Sequence, residues 1–198
     1  PAPVEPQGYA MRCAPHPERP GRWLLAIAGT DPAGALYALR DLEHYHLSAF
    51  RRAGGGLAAT PFARQDYPRI TYRGHWSWGC ILPDNKAWIE NMSRWKLNEL
   101  IHWDNFPPAR AAEYVAFAHA RGVRVVWGFG WGWAPAWNYT LPPDFDRGVG
   151  EGVEMCGSSP ANLAFFRREI ARKVRELYAP TGCDGIYFQA FTECPKCR

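Results

Sequence analysis

The sequence predicts an α/β chain: a small N-terminal α/β domain over residues 1–66, then the first four β/α units of a TIM (β/α)8 barrel over residues 67–198. Three observations lead there. Short apolar runs alternate with segments of helical period, the pattern of βαβ units on a parallel sheet. The segments after the strands are rich in Trp, His, Asp, Glu and Gly, whereas those after the helices are short. A barrel has that asymmetry because its site is built from loops at the C-terminal ends of its strands. No Gly-x-Gly-x-x-Gly turn joins a strand to a helix, which counts against an open dinucleotide-binding sheet.

In the first domain, residues 23–29 form an apolar run ended by Gly and read as a strand. A helix is expected over 34–45, where Leu36, Leu39 and Leu42 recur at a spacing of three behind the start signal Asp31-Pro32. Residues 53–56, Ala-Gly-Gly-Gly, make a turn or linker. Residues 63–68 read as the passage into the second domain. There a strand is expected over 70–74, followed by a helix over 85–96 with Trp88, Met92 and Trp95 at helical spacing. A second strand covers 97–103. The next helix, 108–119, puts Tyr114, Val115 and Ala118 on one face and closes at Arg121-Gly122. A third strand covers 123–128. After a long loop, Ser159-Pro160 opens a helix with an apolar stripe of Leu163, Phe166, Ile170, Val174 and Leu177. The last strand covers 185–190. Four strands amount to half a barrel.

Composition narrows the function. Hydrophobic residues are 47% and charged residues 21% of the 198, so the chain has the makings of a folded core. The net charge is +4, with no block of like charge, which argues against a nucleic-acid partner. No apolar run approaches the roughly 20 residues of a membrane span. The chain begins at Pro1 without an initiator Met or a hydrophobic leader and stops at Arg198 shortly after a strand. Those ends predict a piece of a longer protein, with any secretory or periplasmic leader lost. The distinctive feature is 29 aromatic residues, 15% of the chain. Nine of the ten Trp lie between Trp76 and Trp137. Indole faces fill cores, but they also stack on the C–H faces of sugars. Trp127, Trp131, Trp133 and Trp137 lie too close together for a core role to account for all four.

Several phrases carry a family resemblance. The first barrel strand holds Tyr72-Arg73-Gly74-His75-Trp76. The second holds Lys96-Leu97-Asn98 and then His102-Trp103. The third is led by Ala118-His119-Ala120-Arg121-Gly122. In this order they resemble the start of the catalytic barrel of family 20 glycoside hydrolases, the β-N-acetylhexosaminidases. The first domain, with Gly34 and Tyr37-Ala38-Leu39 in its helix, is similar to the α/β domain those enzymes carry before the barrel. The end of the chain, 185–193, is closer to family 67 α-glucuronidases, where a strand ends in Ser-Glu.

Both resemblances imply a carbohydrate substrate, no cofactor, and a general acid at Glu193. Glycoside hydrolysis needs a carboxylic acid to protonate the leaving oxygen and a second group across the ring. Aromatic neighbours raise the pKa of such an acid. Family 20 enzymes place an Asp just before this Glu to hold the substrate's acetamido group, whereas this chain has Thr192. Arg73 matches the family's sugar-binding arginine; the other reading is a structural ion pair. His102, Trp103 and Asp104 end the second strand. His102 either donates to a sugar oxygen or is a satisfied structural histidine, and Asp104 can accept from a hydroxyl. Trp131 and Trp133 can wall a subsite. Gln189, Asp184 and His75 are weaker candidates, Asp184 fitting a turn better.

Cys194-x-x-Cys197, with Cys80 and Cys156, can be drawn as a metal site, but a lone pair of this spacing favours ordinary cysteines. The sequence therefore predicts a glycoside hydrolase. The alternative is a carbohydrate-binding barrel that has lost its acid–base pair.

Overall fold

The computed structural model describes residues 5–78, 84–104, 107–128 and 159–187. The chain divides into two units, Pro1–Arg73 with Met92–Leu97, and Gly74–Asn91 with Asn98–Arg198. Among the described residues no helix is long and apolar enough to cross a membrane.

The first unit is built on a three-stranded antiparallel sheet. Tyr9–Pro15 (β1) buries Tyr9, Met11 and Cys13 in alternation with more exposed Ala10, Arg12 and Ala14. The sequence reading assigns no strand here, because Ala at the outward positions blurs the alternation. β1 lies between Trp23–Gly29 (β2), the strand expected there, and Phe62–Asp66 (β5). β5 corrects the reading of 63–68 as a passage between domains. Its Arg64 and Asp66 sit in register with Met11 and Tyr9, so charges stand at positions where a strand pattern calls for apolar residues.

Pro32–Asp41 (α1) starts as expected: the Asp31 carboxylate accepts the Gly34 N–H at 2.8 Å, and Pro32 occupies the first turn. Tyr37 and Ala38 pack on Tyr9 and Met11, with Ile27, Ala33, Leu42 and Phe62 around them. Gly34 is required here, since a Cβ would fall 2.1 Å from the Gly8 carbonyl oxygen. Phe50–Ala53 (β3) and Gly56–Ala59 (β4) form a hairpin. Gly54 and Gly55 have φ of 55° and 80°, the two positive values a type I′ turn needs.

A charged cluster closes this unit. The Asp41 carboxylate, 4% exposed, accepts from Lys96 Nζ at 2.8 Å, from Arg64 Nε at 2.9 Å, and from the Tyr9 hydroxyl. Lys96 also reaches Asp66 at 3.1 Å. Burial pushes the Asp41 carboxyl upward, but hydrogen bonds from Lys96 and Tyr9 and the charges of Lys96 and Arg64 outweigh it and hold the carboxyl below its usual range.

The second unit is a parallel sheet of Gly74–Trp78 (β6), Glu99–Trp103 (β7), Arg124–Gly128 (β8) and Gly185–Tyr187 (β9), in that spatial order. Asn85–Arg94 (α2), Ala111–His119 (α3) and Pro160–Lys173 (α4) lie in the connections between successive strands. Sequential parallel strands with a helix between each and the next are the expected α/β architecture of the first part of a barrel. β6 starts four residues later than predicted. The strand begins at Gly74, where a Cβ would lie 1.8 Å from the Glu99 carbonyl oxygen, and Ile70 stays 67% exposed.

Ile89, Met92 and Ser93 are the buried residues of α2, whereas Trp95 lies just beyond its end, 69% exposed. On α3, Tyr114, Val115 and Ala118 are buried, as their spacing requires. Gly122, φ 71°, ends that segment. On α4, Ser159 caps Asn162 and Pro160 opens the helix. Its buried residues are Asn162, Phe165, Phe166 and Lys173, and Leu163 is exposed. Two adjoining stripes of α4 both satisfy the helical period, and packing selects the one that includes Lys173, 1% exposed.

Candidate functional site

Strand alternation sorts the candidate residues onto two faces. In parallel register His102 pairs with Trp127 and Leu100 with Val125, and all four are 0–1% exposed. This face meets the helices. His102 Nδ1 lies 3.2 Å from the Tyr114 hydroxyl on α3. The His102 ring sits edge-on to Trp127 at 5.0 Å. Burial lowers the His102 pKa, against a smaller opposing pull from the Asp104 charge, so its imidazole is held neutral. It is the satisfied structural histidine of the two readings. Trp127 donates from Nε1 to Thr181 Oγ1 at 3.0 Å, which makes it a core indole rather than part of a sugar-facing group. His75 also turns to a helix, its ring 5.2 Å from Trp88 of α2.

The opposite face carries Trp76, Ile101, Trp103, Val126 and Tyr187. Trp103 stacks obliquely against Trp76 at 6.1 Å and edge-on to Tyr187 at 6.0 Å. Strands two places apart lie about 9.6 Å apart, too far for rings to meet over an ordinary middle residue. The middle residue here is Gly128, in register with both Trp103 and Tyr187. A Cβ on it would fall 2.8 Å from Trp103 Cε3 and 3.2 Å from Tyr187 Cδ1. The missing side chain lets β7 and β9 close an aromatic wall across β8. The wall stands at the C-terminal ends of the strands, where barrels place their sites. Asp104 follows directly: its N–H donates to the Gly128 carbonyl at 2.9 Å, and its carbonyl accepts the Tyr178 hydroxyl at 3.0 Å. Those two bonds fix the exit of β7 beside the wall.

Trp76, Gly128 and Tyr187 were not among the residues chosen from the sequence. The available signal was the repeated His-Trp pair, His75-Trp76 and His102-Trp103. The two Trp sit two register positions apart, hence on the same face, and the two His on the other.

Arg73 belongs to the first unit. Its Nε and Nη2 donate to the Lys96 carbonyl at 3.1 and 2.8 Å, and Nη2 also to the Tyr37 hydroxyl at 2.8 Å. Its Nη1 donates to Gln7 Oε1 and to the carbonyls of Ile70 and Thr71. A guanidinium engaged on all three nitrogens clamps backbone instead of offering its fork to a diol. Asp184 accepts from the Val125 N–H at 2.7 Å and meets His119 Nε2 at 2.8 Å. Since β8 begins at Arg124, this is the N-terminal end of the sheet, and Asp184 is a structural turn residue.

Glu193, Gln189, Trp131, Trp133, Trp137, Thr192 and Cys80, Cys156, Cys194 and Cys197 lie outside the described residues. Among the described residues no group of three or more His, Cys, Asp or Glu is placed to hold a metal ion, and Cys13 and Cys183 are free.

No protein-family model and no curated protein matches the chain. Solved structures do. The β-N-acetylhexosaminidase from Bacteroides fragilis NCTC 9343 superposes with a TM-score of 0.67 at 18% identity, over 98% of this chain and 44% of that one. The GH20 exo-β-N-acetylglucosaminidase from Vibrio harveyi, in complex with N-acetylglucosamine, gives 0.59 at 13% identity, over 89% and 35%. The GH20 β-N-acetylhexosaminidase from Streptomyces coelicolor A3(2) gives 0.56 at 17% identity, over 83% and 42%. The chain thus spans less than half the length of these structures. At such identities the likeness is one of fold: the chain has the α/β architecture of part of these enzymes, a small α/β unit and a four-stranded piece of a parallel barrel.

Proposed function

We propose that the chain is a glycoside hydrolase of the β-N-acetylhexosaminidase type that binds its substrate against the Trp76–Trp103–Tyr187 wall. The wall is the observation that carries the reading. Trp76, 42% exposed, offers a flat apolar face to sugar C–H bonds, Trp103 packs against it as its support, and the wall stands at the strand ends used by barrel enzymes. Glu193, three residues beyond the expected end of the last strand at Ala190, is the general acid that protonates the leaving oxygen. Asp104 accepts a sugar hydroxyl. Trp131, Trp133 and Gln189 extend the subsite. Arg73 and His102 act as supports, one by clamping the 70–73 bend and the other by packing β7 against α3.

Turnover of aryl glycosides, with N-acetyl-β-glucosaminide and α-glucuronide compared, tests this reading in the protein and its Glu193→Gln variant. Loss of turnover in the variant by a factor of about a hundred or more is expected for removal of a general acid. Equal turnover removes Glu193 from the mechanism. Thr192, where family 20 enzymes have Asp, favours one second reading, a barrel that binds saccharide without cleaving it. Saccharide affinity with no turnover on any aryl glycoside selects that reading.

A further inference from the structure

We infer that β2 is a self-association edge: two copies of this chain pair through it in antiparallel fashion, joining their three-stranded sheets across a two-fold axis at Ala26. The inference stands apart from the glycosidase reading. Among the described residues the sheet order β2-β1-β5 leaves β2 and β5 at the edges. Open edges invite another strand, and proteins guard them with charge, proline, bulges or short length. β5 carries Arg64 and Asp66. β2, Trp-Leu-Leu-Ala-Ile-Ala-Gly, has none of these guards: it is seven residues long, uncharged, without proline, and in unbroken register with β1. Leu24 and Leu25 on it stay 46% and 37% exposed.

The backbone of β2 is set to receive a partner. The Thr30 N–H donates to the Gly8 carbonyl at 2.9 Å and the His16 N–H to the Arg22 carbonyl at 2.8 Å, so the pairs 8–30 and 16–22 bracket the β1–β2 ladder. Bonded pairs alternate along an antiparallel ladder. Residues 24, 26 and 28 therefore bond to β1, and 23, 25, 27 and 29 turn their N–H and C=O groups to the open edge. A further antiparallel strand there must join odd residues to odd.

The side chains select a second copy as that strand. Centring on Ala26 pairs every residue of β2: Trp23 with Gly29 of the second copy, Leu25 with its Ile27, Leu24 with its Ala28, and Ala26 with its own equivalent. Bulk meets space at both ends, and an aromatic ring over a strand glycine is a favourable cross-strand pair. Gly29 lies under α1, where a Cβ would run into the Ala35 nitrogen. Leu39, four residues further and so on the same flank of α1, is 53% exposed. Trp23 of the second copy, entering over Gly29, comes in beside that flank. Two-fold symmetry makes every one of these contacts twice, whereas an unrelated strand is under no constraint to match them.

Sedimentation equilibrium and disulfide trapping test the pairing. The expected result is a reversible dimer in the parent, weakened about tenfold or more in Ala26→Lys, which sets like charges face to face on the axis. Ala26 is exposed, so at dilutions where both are monomeric this variant melts with the parent. In Ala26→Cys the two thiols form a non-hydrogen-bonded pair with Cα atoms about 4.5 Å apart. Mild oxidation closes it into a covalent dimer, while Leu24→Cys cross-links no more than the parent. A parent that stays monomeric up to about 0.5 mM, a dimer indifferent to Ala26→Lys, or trapping through Leu24→Cys instead of Ala26→Cys overturns the inference.

Discussion

Gly128→Ala is the sharpest test of the aromatic wall, because it adds one methyl group at the point where two rings meet. The new Cβ would stand 2.8 Å from Trp103 Cε3 and 3.2 Å from Tyr187 Cδ1. Carbon atoms rest about 3.5–4.0 Å apart, so the Trp103 ring must retreat by roughly 0.7–1.2 Å. It has little room to do so. Trp103 is 7% exposed, with Trp76 against it on the side of β6. Overpacking of this kind costs about 1–3 kcal/mol, and the ring displacement opens the Trp103–Tyr187 edge contact. Urea denaturation followed by tryptophan fluorescence reads the stability change, and near-ultraviolet circular dichroism reads the indole environment. Saccharide affinity should fall together with the dichroic signal. A variant within about 0.5 kcal/mol of the parent, with an unchanged near-ultraviolet spectrum, would mean that the rings do not close over β8, and the proposed sugar-binding face would go with them.

Two further perturbations test the packing behind the site. Asp41→Ala leaves the Tyr9 hydroxyl, Lys96 and Arg64 without their shared acceptor. Loss of one partner of a buried pair costs 3–5 kcal/mol, and because the Lys96 and Arg64 side chains remain 22% and 35% exposed, about 2–3 kcal/mol is expected in urea denaturation. The same cluster sets a pH dependence. With the folded Asp41 carboxyl held below its usual range, its contribution is full above the unfolded value of about 4 and disappears as pH falls through the lowered folded value. Melting temperature should therefore drop more steeply on acidification in the parent than in Asp41→Asn, and parallel acid limbs would contradict the cluster. Thr181→Val removes the acceptor of the fully buried Trp127 Nε1–H, with an expected loss of about 1–3 kcal/mol; a melting temperature equal to the parent's would place that indole elsewhere.

Local chemistry alone determined much of the scaffold. Asp31-Pro32 and Ser159-Pro160 start helices because a side-chain oxygen and a ring with fixed φ satisfy the first turn wherever the rest of the chain goes. Gly54-Gly55 turns a hairpin for an equally local reason, positive φ at both positions. The face of α3 followed from spacing, since Tyr114, Val115 and Ala118 recur at the three- and four-residue intervals of one helix face and are buried. The strand–helix alternation and the parallel sheet it implies were legible for the same reason.

The site was decided by tertiary structure. Alternation along β7 says that His102 and Trp103 point in opposite directions, but a strand apolar on both faces does not say which face the helices cover. Packing against Tyr114 and Thr181 assigned His102 and Trp127 to the interior and left Trp103 on the wall. Arg73 looked like a sugar-binding fork until the Lys96 carbonyl, 23 residues away in sequence, took two of its nitrogens. β5 was hidden because its inward charges find partners on α1 and in the 92–97 segment. Spacing within one element is written in the chain, whereas the partner that each polar group finds across the fold is set only when distant segments meet.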